Sequence, residues 1–337
     1  MSFKQLDPED FTFDTDSVVA PIWSTLSSSL FPPFYTSSFQ QSSIGSKYYV
    51  DVYNSDPNAN PNAQIQFSIA YADKNGSGSA WYSYAAPYKS PSRTVYGQFT
   101  NLLLGEDENN SFRFGGDNDM GERFYVITID RSNYKQSIMP GSLQIKGLAP
   151  GANTYITDNS LITSVIDYTP AGRRYTLGSG SFGNGALQPS PDPDRNPGIA
   201  GYLYPDVGII ILNPLAFNPD LPQDIFDFSN NRNKNLPDAL RRFITQFTLQ
   251  SQETIPSNYI FCRAKNHEFN FSTQPNFISS SRNLTSSLNE FVSTPSTYIT
   301  SVGLYNDNHE LLAVAKLSKP LKKDFTTEAL IRVKLDF

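Results

Sequence analysis

The last nine residues, Ala329-Leu330-Ile331-Arg332-Val333-Lys334-Leu335-Asp336-Phe337, alternate apolar and charged side chains for most of their length. A period of two gathers the apolar groups on one side of an extended chain and would scatter them around a helix. The stretch is therefore predicted to be a strand with one buried face. Upstream, 298–305 reads as a strand, Asn306-Asp307-Asn308 as a polar turn and 311–317 as the returning strand of a hairpin. Lys319, Pro320, Lys322 and Lys323 then make a poor central strand, because proline has no N–H for the ladder. The lysines fit either a solvated edge that discourages sheet aggregation or a patch for an acidic neighbour. Free termini fray unless tied down, so a chain still in pattern at Phe337 is expected to end inside a sheet or an interface.

The same grammar recurs upstream. Residues 47–53 and 64–71 read as a long-looped hairpin, 123–130 as the strongest strand of the first half, and 142–148, 154–158, 161–167 and 173–177 as short strands at close spacing. Residues 199–204 and 207–212 form another hairpin around Pro205-Asp206, and 259–265 a strand bearing Cys262. Two helices are expected, one over 94–104 and one over about 236–248, where Asn235 can cap and Pro237 suits the first turn. A single helical turn fits 213–220 and a short helix 287–291. The prediction is a mainly β protein with a few short helices, built as an antiparallel β-sandwich-like domain or domains. Its divisions are an extended aromatic-rich arm over 1–46, a β-rich domain over 47–177, a Gly/Pro-rich loop or boundary over 178–198, and a second β-rich region over 199–337. The last three strands of that region are able to complete the first domain.

The arm sets large apolar groups among serine, threonine and proline. It carries too many for a solvated tail and cannot build a core alone, so it packs along its own globule or lies across a neighbour. Phe11, Phe13, Trp23, Phe31, Phe34 and Tyr35 are the candidate contact residues, with Lys319, Lys322, Lys323 and Phe337 from the other end. On the second alternative, removing the first 40 residues leaves a folded domain that no longer assembles.

Composition narrows the chemistry. Charged residues are 17% of 337, the net charge is −6, and Tyr and Phe number 19 and 24. Such a balance argues against nucleic acid or an acidic membrane as partner, since both call for clustered Lys and Arg. One cysteine excludes an internal disulfide framework and a multi-cysteine zinc site. The first residues are too acidic for a secretory leader, so synthesis in a reducing cytoplasm is expected, and the Asn-x-Ser/Thr sites at Asn75, Asn109, Asn270 and Asn283 read as chance. Gly178-Ser179-Gly180-Ser181-Phe182-Gly183 spells the dinucleotide fingerprint, but the prolines after it cannot sustain the helix that must hold a pyrophosphate. Asp117, Asp119 and Glu122, and Asp192 with Asp194, offer hard oxygen ligands without completing a calcium loop. With two histidines, His267 and His309, and no Gly-x-Ser-x-Gly, hydrolytic triads and zinc enzymes find no pattern here. The expectation is no catalytic residue, no cofactor and no metal.

Several blocks resemble, in order, virion structural proteins of contractile-tailed, T-even-like bacteriophages, above all those of marine cyanobacteria. They are YYVDVYNSDPNANPNAQIQFSIAYADKNGSGSAWYSY, TVYGQFTNLLLGEDEN, RFYVITIDRSNYKQSIMPGSLQIKGL, GYLYPDVGIIILNP and the final forty residues from Tyr298. Together they cover most of the chain. The resemblance implies a non-enzymatic, multi-copy virion component, a baseplate wedge or associated tail protein, assembled in the host cytoplasm. Its partners would be other virion proteins, baseplate or tail subunits and copies of itself, with no nucleic acid and no membrane. The alternatives are a neck, collar or capsid-surface protein, and a receptor- or glycan-binding module presenting Trp81 and Tyr82.

Overall fold

The computed structural model describes residues 3–36, 49–78, 85, 90–107, 111–114, 121–149, 154–186, 199–217, 221, 235–270 and 294–336. The chain forms two compact units, one of Val18–Glu253 and one of Met1–Ser17 with Thr254–Phe337. We call them the central and terminal units. The units divide at 17/18 and 253/254, because the first and last stretches of chain fold together.

In chain order the strands are β1 (Phe11–Pro21), β2 (Ser29–Leu30), β3 (Tyr35–Thr36), β4 (Tyr49–Tyr53), β5 (Ile65–Asp73), β6 (Arg123–Ile129), β7 (Ser137–Ile138), β8 (Gln144–Lys146) and β9 (Tyr155–Asp158). There follow β10 (Asp167–Thr169), β11 (Gly172–Gly180), β12 (Gly201–Tyr204), β13 (Ile209–Leu212), β14 (Gln246–Thr248), β15 (Gln250–Ala264), β16 (Ser296–Tyr305), β17 (Leu311–Asp324) and β18 (Ala329–Asp336). Two α-helices, α1 (Pro91–Leu104) and α2 (Asn235–Phe243), and short 3-10 turns complete the described elements. The protein is mainly β with antiparallel sheets, as its sequence predicts.

The central unit is one antiparallel sheet in the order β2-β14-β8-β9-β11-β12-β13-β6-β5-β4-β3, with β10 beside β11, curled into a half-barrel. Its two margins, β2 and β3, are neighbours in sequence. Leu30 and Tyr35 are separated by four residues, and so short a link spans at most about 18 Å, so the margins must curl toward one another. Aromatic rings fill the seam: Phe67 of β5 meets Phe247 of β14 at 5.0 Å between centroids, and Trp23 meets Phe247 at 5.1 Å and Phe67 at 6.0 Å. The indole N–H of Trp23 donates to the carbonyls of Ser28 and Phe247 at 3.0 and 3.1 Å, so no buried donor is left over.

Alternation along the strands builds two cores. Phe67, Ile69, Tyr71, Tyr125, Ile127, Tyr175, Leu177, Leu203 and Ile210 point into the curl, where Ala239, Leu240 and Ile244 from α2 and its C-terminal edge join them. Ala70, Ala72, Phe124, Val126, Tyr202, Tyr204, Ile209 and Ile211 point outward, with Val95, Tyr96, Phe99 and Leu103 of α1 and with Phe112 and Phe114. Covered on both sides, β13 reads Ile-Ile-Ile-Leu without a polar break. Helix α1 starts three residues before its apolar period, since Ser90 accepts from the Arg93 N–H and Pro91 occupies the first turn. Helix α2 ends at Phe243, short of the predicted 248. Phe247 fits the helical spacing, but strand pairing with Ile145 and Leu30 claims it.

In the terminal unit β15 pairs antiparallel with β18 from Ser257/Asp336 to Ala264/Ala329, and β1 flanks β15 on the other side. The hairpin β16-β17 is a separate two-stranded sheet. This corrects the three-strand unit read from the sequence, for β18 pairs with the cysteine-bearing strand and not with the hairpin. The Lys-Pro stretch corrects the other way: it lies inside β17, on an edge, where proline costs no ladder bond. The predicted short helix at 287–291 lies outside the described residues.

Replacing Phe247 by alanine empties the seam from the β14 side. The expected loss is about 3–5 kcal/mol, seen as a lower urea midpoint for the central unit, while Phe31→Ala, at an exposed position, should shift it by less than about 0.5 kcal/mol.

Candidate interaction surface

The terminal unit inverts the usual arrangement of large and small side chains. Along β17, Ala313 and Ala315 face the core, and Leu312 and Val314 face out. The register puts Val302 and Leu304 opposite those alanines and Gly303 opposite Val314. The buried cluster is therefore small: Ile260, Leu304 and Val333, edged by Leu6, Cys262, Ile331 and Leu335. Leu312 is 68% exposed, Val314 61% and Tyr298 57%, with Leu311 and Leu321 also exposed on the same hairpin. Isolated exposed apolar groups are ordinary, whereas several on one hairpin make a candidate contact surface.

β1 repeats the pattern at the other end of the unit. Phe13 is 77% exposed and Phe11 40%, on a strand whose residues within this unit are exposed on both faces except Asp16. Asp16 is held by Lys334, which also reaches Asp336 at 3.0 Å, and those two carboxylates push the Lys334 ammonium above its usual range. Phe3 folds back against Tyr305 at 5.0 Å and stacks on His309 at 4.8 Å. Lys4 donates to the Arg263 carbonyl at 2.7 Å and to Glu268 at 2.8 Å, which holds the Glu268 carboxyl below the ordinary range.

Two neighbouring lysines show how a strand sorts its side chains. Lys322 lies opposite Tyr298 on the outer face, exposed, 3.5 Å from Asp324. Lys323, one residue on, points inward opposite Thr297 and is fully buried. Its ammonium donates to the Asn266 carbonyl at 2.8 Å, Asn270 Oδ1 at 2.9 Å and the Asp324 carbonyl at 3.0 Å. A buried cation must have all its donors satisfied, and three oxygens do that here. The lysine thereby ties the turn after β15 to the hairpin.

The predicted contact residues divide accordingly. Phe11, Phe13, Phe31, Lys319 and Lys322 are exposed; Trp23 and Phe34 are core residues of the central unit, and Tyr35 is half-buried in β3. Lys323 is corrected from surface patch to internal tie, because the period of two turns it inward. Phe337, Trp81, Tyr82, Asp117, Asp119, Asp192 and Asp194 lie outside the described residues. From Ile22 to Phe34 the arm takes the first of its two alternatives and packs along its own globule. There it supplies the seam of the central unit, so removing 40 residues would unfold that unit before testing assembly. Leu312, Val314 and Tyr298 are exposed apolar residues that the sequence reading does not single out. Their signal is the run Leu-Ala-Val-Ala, where alanine and not valine takes the core-facing phase.

A second exposed apolar patch lies on the central unit. The strand predicted over 161–167 is an exposed loop up to 166, followed by β10, with Leu161 70% and Val165 75% exposed in the loop and Tyr168 70% exposed in β10. Phe182 adjoins it through the Leu161 N–H, which donates to the Gly183 carbonyl at 3.0 Å. The glycine fingerprint here is a backbone-packing device. A Cβ on Gly178 would lie 2.4 Å from the Ala186 carbonyl oxygen, and one on Gly180 would lie 2.2 Å from that of Asn184. Asp158 anchors the neighbouring turn, accepting from the Gly141 and Ser160 N–H groups at 2.9 and 3.0 Å. Burial pushes its carboxyl up despite those bonds.

Among the described residues no group of three or more His, Cys, Asp or Glu side chains could hold a metal, and no helix is long and apolar enough to cross a membrane. No family model, no curated protein and no solved structure matches the chain.

Substituting Lys323 by methionine removes the donor from three buried oxygens at once. The terminal unit should lose about 2–3 kcal/mol, read as faster amide exchange across 294–336, whereas Lys322→Ala should leave exchange there unchanged.

Proposed function

We propose that the protein is a non-enzymatic structural subunit of a contractile-tailed bacteriophage particle, placed at the tail base as a wedge or wedge-associated component. It acts through complementary surfaces. The observation that carries this reading is the inverted terminal unit, in which alanines take the core-facing positions of β17 while Leu312, Val314, Tyr298 and Phe13 face solvent. Such a unit gains much of its apolar burial only from a neighbour. The exposed 161–166 loop with Phe182 offers a second contact on the central unit. The buried polar groups support the same reading: Asp73 accepts from Arg123 Nε at 3.0 Å and from the Asn75 and Ser77 N–H groups, and Asp206 receives a forked pair from Arg173. Burial alone would raise the Asp206 carboxyl, but Arg173 outweighs it and holds the group below the ordinary range. These charges lock turns.

Cryo-electron microscopy of the intact virion, with this chain located, tests the proposal. The expected result is density at the tail base in multiples of six, with Phe13 and the outer face of the β16-β17 hairpin covered by neighbouring subunits. Density at the neck or capsid would overturn the location, and absence of the chain from purified particles would overturn the virion reading itself.

A further inference from the structure

We infer that the terminal unit docks onto a second copy of the chain, the acid-bearing segment around β1 of one copy lying along the lysine-bearing free edge of β17 in the next. The inference rests on the reading of this unit as a docking module and names its partner. From 7 to 16 the chain carries Asp7, Glu9, Asp10, Asp14 and Asp16 with no basic residue, around Phe11 and Phe13. From 311 to 323 it carries Lys316, Lys319, Lys322 and Lys323 with no acid, after Leu312 and Val314. Within this unit both segments are strands at a sheet margin: β1 is flanked only by β15, and β17 only by β16, among the described residues.

Some of these charges are already used. Asp16 meets Lys334, Lys322 meets Asp324 and Lys323 is buried. Glu9 and Asp14 on one segment, and Lys316 and Lys319 on the other, are exposed and form no ion pair among the described residues. Acids stand on both sides of the phenylalanine pair. Run antiparallel with Phe13 opposite Leu312, the first segment sets Phe11 opposite Val314 and Glu9 opposite Lys316, with Asp7 one place from Lys319. Pro320 has no N–H to offer, which confines pairing to the stretch before it. Each copy carries both surfaces, so the contact either forms twice in a two-fold dimer or repeats head-to-tail into a ring or a filament.

Sedimentation velocity on the full chain, from about 1 to 100 μM, reads the contact against the affinity range of specific complexes. The wild type should grow beyond monomer with concentration, and its self-affinity should fall roughly tenfold from low to high salt, because exposed charge pairs are screened. Glu9→Lys with Asp14→Lys reverses one surface, and Lys316→Glu with Lys319→Glu reverses the other. Each variant alone should stay monomeric. An equimolar mixture should regain association, since each variant then supplies what the other lacks, and recovery also shows that both are folded. A wild type that stays monomeric throughout, a variant that associates like the wild type, or a mixture that stays monomeric overturns the inference. A chain missing from the virion would sink the virion reading and leave the sedimentation result standing. A chain in the virion whose β17 edge meets a different protein would sink this inference alone.

Discussion

The central unit depends on closing a sheet whose ends lie four residues apart in sequence. Curling a sheet brings the far margins together only if something occupies the seam, and here Trp23, Phe67, Phe34 and Phe247 do so with mostly edge-on rings. Edge-to-face geometry lets the positive rim of one ring meet the negative face of the next, an attraction beyond simple burial. Helix α2 follows from the same constraint. A curl that wide cannot be filled by strand side chains alone, and Ala239, Leu240 and Ile244 enter the remaining space.

The terminal unit obeys the opposite logic. Its strands are long, with ten residues in β16 and fourteen in β17, yet alanine at the inward positions of β17 keeps its core thin. Length without depth gives area for contact. A small core also makes each buried group count for more, and the Lys323 tie matters for that reason. With few apolar contacts joining hairpin to sheet, three charge-assisted hydrogen bonds are a large share of what holds the turn after β15 in place.

Much of this was legible in the sequence, and the failures have physical causes. The final strand, the 298–317 hairpin and the 199–212 hairpin were readable because period two and polar turns are local signals. Which strands pair was not readable, and β18 chose β15 because its inward set, Ile331, Val333 and Leu335, matches Cys262, Ile260 and Asn258 in register. Phe247 misled because helical spacing and strand pairing both explain an apolar residue at that position, and only the distant partners Leu30 and Ile145 decide between them. The arm left two alternatives open because large apolar groups in a proline-rich stretch call for contacts without showing where those contacts lie. The exposed face of β17 was hidden by its own composition, since leucine and valine read as core until alanine is seen to hold that place.

The same lysines that would recognise a neighbour also guard the unbound chain. A fourteen-residue strand with one margin unpaired among the described residues and with exposed Leu312 and Val314 is a template for indiscriminate pairing. Lys316, Lys319 and Lys322 make that margin costly for an uncharged or basic strand, and Pro320 interrupts the ladder that a fibril needs. A partner strand bearing acids escapes the penalty, because its charges answer the lysines. Protection and selectivity are then one property of the edge, set by the sign of the charge that approaches it.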